Sequence, residues 1–507
     1  MNQADWNELK SGTDVRGVAL EGVEGEHINL TDEAVSGIMK AFCYRLAKSL
    51  GKDRLTVAIG HDSRLSADRI SKCAADAVTQ SGSDVILTGL SSTPSMFMLL
   101  QEKDIGADAS VMITASHLPY NKNGLKFFLP SGGLEGKDIS EILALAAEGK
   151  SLSGKQGTVR KQSYIGRYSE NLVKFVREKT GEEKPLLGKK IIVDAGNGAG
   201  GFYVEKVLIP LGADTEGSQF LEPDGRFPNH IPNPENKAAM KSISDQVKQT
   251  GADFGIIFDT DVDRAGAVDK SGEEINRNRL IALISAILLS EKAGTIVTDS
   301  VTSDGLAQFI LAHGGKHCRY KRGYKNVIDK AKELNAAGIY SPLAIETSGH
   351  AALKENYFLD DGAYLVTRIL ISLAKLAKTG RNISDLIADL PEPAEAAEVR
   401  LGFTKKGKTD FKKIGTAAIE DIKDKAVAAG LKLAPDNYEG VRINFGKGQG
   451  EGWALVRMSL HEPIVPINFE STAKSGCKVI AQELLELLSD HADSIDVTNL
   501  KNYIQNA

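Results

Sequence analysis

Short apolar segments rich in Val, Ile and Leu alternate through most of the chain with longer stretches whose apolar residues recur every three or four positions. The short segments are typical of buried β-strands and the longer ones of helices. The pattern predicts strands at 55–59, 84–87, 110–113, 190–193, 255–258 and 295–297, and helices at 67–81 and 275–289. Strands that alternate with helices favour α/β layers built on a largely parallel sheet.

The last part of the chain has a different pattern. Strand-like runs at 441–445, 453–458 and 464–470 follow one another, and a helical stretch at 475–490 comes after them. Consecutive strands without intervening helices favour an antiparallel sheet. We therefore predict an α+β domain there rather than another α/β unit.

Three segments have the composition of joints between domains. The segment 164–167 follows a polar run, 270–274 is a charged turn, and 390–394 contains two prolines. At about 150 residues per domain, a chain of 507 residues is expected to form about three or four domains. The predicted domains are 1–165, 166–272, 273–390 and 391–507.

Composition and charge exclude several classes of protein. Apolar residues make up 42% and charged residues 25%, the balance of a soluble globular protein, which excludes extensive disorder. Lys and Arg number 62 against 67 Asp and Glu, which gives a net charge of −5. The chain lacks an overall positive field, so no nucleic-acid partner is expected.

The sequence also carries no sign of export or membrane insertion. The first ten residues contain no apolar core of a signal peptide, and the longest apolar run, 280–289, is too short to cross a bilayer. The cysteines are far apart and form no CxxC pair, so neither a disulfide framework nor a thiolate zinc site is indicated (Cys43, Cys73, Cys318 and Cys477). The expected location is the reducing cytoplasm, without a membrane partner.

A serine follows one of the predicted strands directly. Residues 114–119 read Thr-Ala-Ser-His-Leu-Pro after the strand 110–113, and open α/β sheets place their sites at the carboxyl ends of strands. Ser116 is therefore a candidate nucleophile or phosphate carrier. The G-x-S-x-G pattern of acyl-transfer enzymes is missing, and His117 is not expected to point at the Ser116 hydroxyl. A polar loop that satisfies its own turn is an equal alternative.

Three aspartates at alternate positions follow another apolar run. Asp259, Asp261 and Asp263 come directly after 254–258, and carboxylates this close need a cation or several donors to remain ionised together. Oxygen-only ligands suit Mg²⁺. The adjacent Arg264 can bind a phosphate through two donors. We prefer this metal site to an exposed acidic turn.

Two further polar segments carry weaker signals. Residues 346–350 read Glu-Thr-Ser-Gly-His, which can bind sugar hydroxyls and move a proton, although the start of a capped helix is the favoured interpretation. Residues 457–463 read Arg-Met-Ser-Leu-His-Glu-Pro, and arginine, serine and backbone amides in a tight loop can bind an anion.

One segment favours a different class of enzyme. Residues 196–201 fit the G-x-G-x-x-G spacing after the strand 190–193, and Glu216 lies about twenty residues further on, where a ribose-binding acid is found in dinucleotide sites. A Rossmann-type nicotinamide oxidoreductase is therefore an alternative. A glycine run of this kind often only allows a helix to pack closely on a strand.

Taken together, the segments resemble the α-D-phosphohexomutase family, which includes phosphoglucomutases, phosphomannomutases and phosphoglucosamine mutases. The resemblance spans nearly the whole chain, and the phosphoserine and metal loops are its most specific parts. The matching segments are 12–17 (opening phosphate contact), 114–126 (phosphoserine loop), 259–264 (metal loop), 346–350 (sugar-recognition loop) and 457–463 (phosphate-binding loop), with further support from 223–230 and 322–325.

The resemblance implies roles for particular residues. The catalytic residues it implies are Ser116 as the phosphoryl carrier with Lys126, Arg264, His350, Arg16 and His117. The implied ligands of one Mg²⁺ are Ser116, Asp259, Asp261 and Asp263. The implied substrate-binding residues are Glu346, Ser348, Lys325, Arg457, Ser459 and His461. Lys126 and His350 are both candidates for the general base, and a lysine can take that role only if its pKa is depressed.

The resemblance also implies a fold and an activity. The expected fold has three similar mixed α/β domains and a smaller C-terminal α+β domain around a central cleft. The expected reaction interconverts the 1- and 6-phosphates of glucose or mannose through a hexose 1,6-bisphosphate, which also serves as activator. The partners are small-molecule hexose phosphates, and the chain is expected to be a monomer or homodimer. A phosphoglucosamine mutase and a non-catalytic sugar-phosphate binder remain alternatives.

The sequence departs from the family pattern at three loops. Thr260 and Ile345 stand where the family usually has glycine, in the metal loop and the sugar loop. In the phosphate-binding loop, Met458, Leu460 and His461 occupy the variable places, so the usual threonine hydroxyl is absent.

Overall fold

The computed structural model describes residues 3–435, 437–459 and 462–507. The chain divides into two compact units. The first unit comprises Met1–Asn276 and Ser348–Asp385, and the second comprises Arg277–Thr347 and Leu386–Ala507.

The first unit begins with an α/β layer. Its helices and strands are, in chain order, α1 (Gln3–Glu8), β1 (Lys10–Ser11), β2 (Asp14–Val18), α2 (Asp32–Leu50), β3 (Thr56–His61), α3 (Ala67–Gln80), β4 (Asp84–Leu90), α4 (Thr93–Met98), β5 (Ala109–Ile113), β6 (Lys122–Leu129), β7 (Gly132–Gly133), α5 (Gly136–Ala147) and β8 (Val159–Lys161). The strands form one sheet in the order β1-β2-β6-β5-β3-β4-β8, with β7 beside β6.

This first sheet is mixed rather than largely parallel. Strands β3, β4, β5 and β8 run parallel, as the alternating pattern predicts. Strand β6 runs antiparallel to both β5 and β2, because the chain returns beside β5 after the loop 114–121. Phe42, Ile70 and Ile142 from the helices join Val57 and Val111 of the sheet in one buried cluster, which fixes the sheet under the loop.

A second α/β layer completes the amino-terminal part of the first unit. Its elements are α6 (Ile165–Thr180), β9 (Ile191–Asp194), a short π-helical turn (Val204–Leu208), α7 (Lys237–Thr250), β10 (Phe254–Phe258), β11 (Ala265–Asp269) and β12 (Glu274–Ile275). The sheet order is β12-β11-β10-β9, with β9 and β10 parallel and β11 antiparallel to β10. The aspartate segment 259–264 is therefore the loop of a β-hairpin.

The second unit opens with a third α/β layer. Its elements are α8 (Arg277–Glu291), β13 (Thr295–Thr298), α9 (Asp304–Ala312), β14 (Lys316–Arg319), α10 (Tyr324–Ala336) and β15 (Leu343–Ile345). Strand β13 runs parallel to both β14 and β15. The chain then re-enters the first unit with the antiparallel pair β16 (Ala351–Leu353) and β17 (Leu359–Asp360), followed by α11 (Gly362–Ala377).

The last segment of the second unit is α+β. Its elements are β18 (Glu395–Phe403), α12 (Phe411–Ala428), β19 (Lys432–Leu433), β20 (Val441–Phe445), β21 (Gly452–Val456), β22 (Ile464–Ser471), α13 (Gly476–Leu487), β23 (Ile495–Asp496) and α14 (Thr498–Asn506). The sheet order is β19-β20-β21-β22-β18-β23, and its neighbouring strands are antiparallel. The antiparallel α+β prediction is confirmed.

The predicted strands of the α/β layers are also confirmed. They correspond to β3, β4, β5, β9, β10 and β13, with ends that differ by up to three residues. The helix predicted at 275–289 begins instead at Arg277, because Ile275 pairs with Ala267 as part of β12. Within the described residues, none of the helices combines the length and hydrophobicity needed to span a bilayer.

A buried ion pair anchors the segment 223–230 in the second layer. His230 Nε2 lies 2.9 Å from Asp194 Oδ2, and His230 Nδ1 lies 3.1 Å from the carbonyl oxygen of Ile231. Burial lowers the pKa of His230, but the hydrogen bond and charge of Asp194 outweigh that effect, so the pKa is raised above its usual value. Both ring nitrogens therefore find acceptors when the imidazole is protonated.

This raised pKa predicts a pH-dependent contribution to stability. The stabilisation is fully present below the pKa of an unfolded histidine, about 6.5, and is lost as the pH rises through the higher folded-state value. The difference in melting temperature between wild type and His230→Gln should therefore be larger at pH 6 than at pH 9, as measured by calorimetry. The exposed His27, changed to Gln, is the control. A difference that grows with pH would contradict the prediction.

Candidate active site

Ser116 lies in a strained turn directly after β5. Its φ angle of +53° is in the left-handed region, which costs a non-glycine residue free energy. The Ser116 amide donates to Thr114 Oγ1 at 2.9 Å, which helps to hold this conformation. The side chain is nearly buried, with 4% of the residue exposed. The turn thus directs one hydroxyl into the interior of the first unit.

The Ser116 hydroxyl has three polar neighbours. Its Oγ lies 3.2 Å from Asp259 Oδ2 and 3.2 Å from Arg264 Nη2. It also lies 3.3 Å from His117 Nδ1, so the expectation that His117 points elsewhere is wrong. The left-handed turn at Ser116 brings the two consecutive side chains to the same side. Burial, and next the nearby Arg264, lowers the pKa of His117 to about 3, so this imidazole is neutral near pH 7.

The aspartate loop is buried rather than an exposed acidic turn. Asp259 and Asp261 are 0% exposed and Asp263 is 4% exposed. Val262 in the middle of the loop has a φ of +67°, which is strained for a β-branched residue. Its carbonyl accepts from the Gly362 amide at 3.1 Å, so the start of α11 helps to hold the loop.

The carboxylates have unused oxygens that point to a cation. Lys126 Nζ donates to Asp261 Oδ2 at 2.8 Å and to Asp263 Oδ2 at 2.7 Å. The Oδ1 atoms of Asp261 and Asp263 are buried and have no hydrogen-bond partner among the described residues. Ligand oxygens of these two residues and of Asp259 lie within 4.8 Å of one another. All of these possible ligand atoms are oxygens, and two of them have no hydrogen-bond partner among the described residues. Such a set fits a hard divalent cation.

The electrostatics of the loop agree with this interpretation. Burial, followed by the charge of Asp263, raises the pKa of Asp259 well above its usual value. Burial also raises the pKa of Asp263, but Lys126, His350 and Arg264 reverse the shift and lower it overall. Carboxylates that share these cationic side chains would be ionised together more easily beside a metal ion.

Lys126 does not meet the condition for a general base. Burial lowers its pKa, but the charges of Asp261 and Asp263 more than offset that effect, and the pKa is raised well above 10.5. The depressed pKa that a basic lysine needs is therefore not found. Lys126 instead supplies a positive charge between two aspartates.

His350 pairs with a carboxylate that the sequence pattern did not reveal. Its Nδ1 makes a short hydrogen bond to Asp360 Oδ2. Burial lowers the pKa of His350, but Asp360 reverses the shift and raises it to about 9. The segment 346–350 is a turn and not a helix start, so the favoured interpretation of that segment is wrong. The chain pairs again in β16 directly after the turn, which leaves no room for a helix.

Arg16, like His350, is paired with a carboxylate. Its Nη2 donates to Asp14 Oδ2 at 2.9 Å, and both residues lie on β2. Burial lowers the pKa of Arg16, but Asp14, Asp261 and Asp263 together raise it overall. The residue therefore adds a permanent positive charge near the aspartate loop.

The second unit contains its own buried cluster of charges. Arg457, 6% exposed, has its Nε 3.9 Å from Glu439 Oε1, and that Nε has no hydrogen-bond partner among the described residues. Glu439 also accepts a hydrogen bond from Ser300 Oγ. Close by in the same unit, Arg322 Nε lies 4.0 Å from Asp299 Oδ2. An arginine with a free buried donor is suited to an anion such as phosphate.

The remaining candidate substrate residues have these positions. Glu346 Oε1 accepts from the Gly323 amide at 2.6 Å, and Lys325, at the start of α10, pairs with Asp329 at 3.0 Å. Ser459 Oγ accepts from the Glu462 amide at 3.2 Å. Ser348 is buried. His461, together with Leu460, lies outside the described residues.

The glycine run 196–201 packs against the aspartate loop and does not form a dinucleotide cradle. A Cβ on Gly198 would lie 2.7 Å from the Thr260 carbonyl oxygen, and one on Gly200 would lie 2.9 Å from the Phe258 ring. Glu216, the candidate ribose acid, is exposed and lies 3.9 Å from Lys190. The nicotinamide interpretation therefore has no structural support, and close packing explains the glycines.

Models of protein families match three consecutive parts of the chain. Phosphoglucomutase/phosphomannomutase α/β/α domain I matches residues 9–152, domain II matches 166–272 and domain III matches 276–394. The matches together cover most of the sequence and include both the serine loop and the aspartate loop.

Whole-length relatives agree with these domain matches. A phosphoglucomutase from Neisseria gonorrhoeae is 30% identical over 91% of this chain and 93% of its own length. A phosphoglucomutase/phosphomannomutase from Thermococcus kodakarensis is 32% identical over 93% of this chain and 96% of its own. The crystal structure of a phosphoglucomutase/phosphomannomutase family protein from Burkholderia thailandensis superposes with a TM-score of 0.78, at 26% identity over 97% of this chain and 98% of its own. The chain therefore belongs to the phosphoglucomutase/phosphomannomutase family of α-D-phosphohexomutases, with three α/β domains and a smaller fourth domain, and is an isomerase of that family.

Proposed function

We propose that this chain interconverts hexose 1-phosphate and hexose 6-phosphate, with glucose and mannose as the sugars, through a phosphoserine at Ser116. The phosphoryl group passes from Ser116 to the free hydroxyl of the sugar monophosphate and gives a hexose 1,6-bisphosphate. The other phosphoryl group of this bisphosphate then passes to Ser116, which leaves the isomeric monophosphate. Added hexose 1,6-bisphosphate would activate the enzyme by phosphorylating empty Ser116.

One observation carries this proposal. The Ser116 hydroxyl lies 3.2 Å from the Arg264 guanidinium and 3.2 Å from the first aspartate of a buried acidic loop. Phosphoryl transfer asks a protein mainly for positioning and electrostatic stabilisation, and a fixed arginine beside the carrier oxygen supplies both.

Mg²⁺ is the proposed cation of the acidic loop. Asp259, Asp261 and Asp263 would hold it together with an oxygen on Ser116, and the unpartnered Oδ1 atoms support this assignment. When bound, the ion neutralises negative charge on the phosphoryl group. The chain itself orients two of the carboxylates through Lys126, which donates to the Oδ2 atoms of Asp261 and Asp263.

His350 is the proposed proton-transfer group. A catalytic acid or base works best when its pKa is close to the working pH. The pKa of His350, raised to about 9, is nearer to neutrality than that of Lys126, which lies well above 10.5. Arg16, His117 and Arg264 would orient the phosphoryl group and stabilise its charge.

Residues outside the serine and aspartate loops would bind the rest of the substrate. Arg457, Ser459 and Lys325 are proposed to hold the distal phosphate, with His461 as a further donor. Glu346 and Ser348 are proposed to bind the C3 and C4 hydroxyls, which glucose and mannose share. The relatives reported above are named for glucose and mannose phosphates and not for glucosamine phosphate, which supports this choice.

The working form of the enzyme follows from these assignments. The partners are small hexose phosphates, and we propose a monomer or homodimer in the cytoplasm. A non-catalytic sugar-phosphate binder would have no need of the buried aspartates, which Lys126 and Arg264 hold in place.

The proposed phosphoserine predicts a gain in protein mass and a loss of activity when Ser116 is replaced. Wild-type protein incubated with glucose 1,6-bisphosphate should gain one phosphoryl group in intact mass spectrometry, and Ser116→Ala should gain none. The same variant should lose turnover of both glucose and mannose phosphates, because it has no carrier oxygen. The exposed Ser140 on α5, changed to Ala, should behave as wild type. Near-normal turnover by Ser116→Ala would reject the carrier role.

The acidic loop predicts a metal-dependent melting temperature. Mg²⁺ should raise the melting temperature of the wild type relative to EDTA, because a ligand that binds only the folded state stabilises it. Asp261→Asn should lose this shift and at least about 100-fold in turnover. Asp68→Asn, whose side chain is 99% exposed, should keep both. Full wild-type turnover after exhaustive chelation would contradict the assignment.

The proposed role of Arg457 predicts that its replacement weakens substrate binding. Arg457→Gln should raise the KM for hexose monophosphate by about 10- to 100-fold, the cost of one charge-assisted hydrogen bond. The shift in melting temperature with Mg²⁺ should remain, since the aspartate loop is unchanged. Arg381→Gln, with a side chain 53% exposed in the first unit, is the control. An unchanged KM would remove Arg457 from the substrate site.

A further inference from the structure

One buried arginine donates to four carbonyl groups of the serine loop. Arg64 Nη1 donates to the carbonyl oxygens of Pro119 and Lys122, both at 2.8 Å. Arg64 Nη2 donates to those of Ser116 at 2.5 Å and Leu118 at 2.6 Å. The planar guanidinium thus ties together a stretch of seven positions, 116–122, through backbone atoms. A lysine, with one nitrogen, cannot reach four carbonyls in this geometry.

Charge compensation makes this arrangement costly to lose. The Arg64 and Asp62 side chains are both 0% exposed, and Asp62 Oδ2 lies 3.4 Å from Arg64 Nε. Asp62 Oδ1 also accepts from the Arg64 backbone amide at 2.9 Å. Removing the guanidinium would leave the buried Asp62 carboxylate without its counter-charge and four carbonyls without their donor.

A segment of the second α/β layer in the same unit packs closely against this arginine. A Cβ on Gly225 would lie 2.5 Å from both the Leu65 amide nitrogen and the Ser63 carbonyl oxygen, so only glycine allows this approach. The ring of Phe227 lies 5.4 Å from Arg64 Cζ. The segment 223–230 has no role in the proposed reaction, and it packs closely against Arg64.

We propose that Arg64 is a positioning residue for phosphoryl transfer, which holds the backbone of the loop 116–122 so that the Ser116 hydroxyl stays beside Arg264. The proposal rests on the assignment of Ser116 as the carrier. Ser116 is in a strained conformation, with φ +53°, and such a residue persists only where its surroundings hold it. Arg64 binds the carbonyl of this same residue. A displacement of the reacting atom by about 1 Å costs about 100-fold in rate.

The test compares two buried arginines. Arg64→Lys keeps the charge beside Asp62 but loses the planar donors, whereas Arg368→Lys makes the same change at a buried arginine on α11 that pairs with Glu355. The rate at which glucose 1,6-bisphosphate phosphorylates Ser116 should fall about 100-fold in Arg64→Lys and little in Arg368→Lys. The KM for hexose phosphate should change little in either variant.

Hydrogen exchange measures directly how well the amides of the loop are protected. In Arg64→Lys, amides of a peptide that covers 114–122 should exchange faster, while peptides from α2 and α5 keep their protection. A second variant, Gly225→Ala, pushes on 63–65 without any change of charge and should slow phosphorylation in the same direction. Gly166→Ala is its control, because a Cβ at Gly166 meets no atom within 4 Å.

Each outcome decides between the alternatives. Wild-type phosphorylation rates in Arg64→Lys, or unchanged exchange in 114–122, would overturn the proposal. Equal losses in Arg64→Lys and Arg368→Lys, with faster exchange throughout the unit, would reduce Arg64 to a general structural role and overturn it as well. Failure of the carrier assignment itself would appear differently, as wild-type protein that gains no phosphoryl group while the exchange results still hold.

Discussion

The first unit depends on burying three carboxylates within a few ångströms of one another. Such a cluster repels itself, and the repulsion is strongest where water is excluded. Lys126 and Arg264 offset part of it. Lys126 lies on β6, and Arg264 is the last residue of the hairpin loop, directly before β11. The antiparallel return of β6 beside β5 is thus what brings a cation from one α/β layer to the aspartates of the next.

Both loops of the candidate site, the serine loop and the aspartate loop, contain a strained residue. Ser116 and Val262 have φ angles of +53° and +67°, and each lies in a loop that follows a fully buried strand. Strained residues persist only when their surroundings determine them completely. The carbonyl of Ser116 is held by Arg64, and that of Val262 by the amide of Gly362. Both loops therefore start from rigid strands and are fixed again at their strained point, which favours a reaction that needs exact positioning.

The sequence predicts features that depend on neighbouring residues, and it does not reveal contacts between residues far apart in the chain. Buried strands are read from short apolar runs, and the serine and aspartate loops are found because they follow such runs. The acidic partner of His350 could not be found in this way, since Asp360 stands ten positions away at the end of β17. Arg64 lies 52 positions before Ser116, with no local signal. The helix start expected at 346–350 fails because β16 pairing overrides a local capping pattern.

The charge balance of the site links the proposed phosphoserine to the proposed divalent cation. Three aspartates face Lys126 and Arg264, and His350 and Arg16 are each paired with an acid of their own. With the aspartates ionised, the cluster carries a single excess negative charge. A phosphoryl group adds about −1.5 to −2, which a buried site of that sign would resist. A divalent cation adds the opposite charge, so the two together leave the balance almost unchanged. Each should therefore bind or form more readily when the other is present.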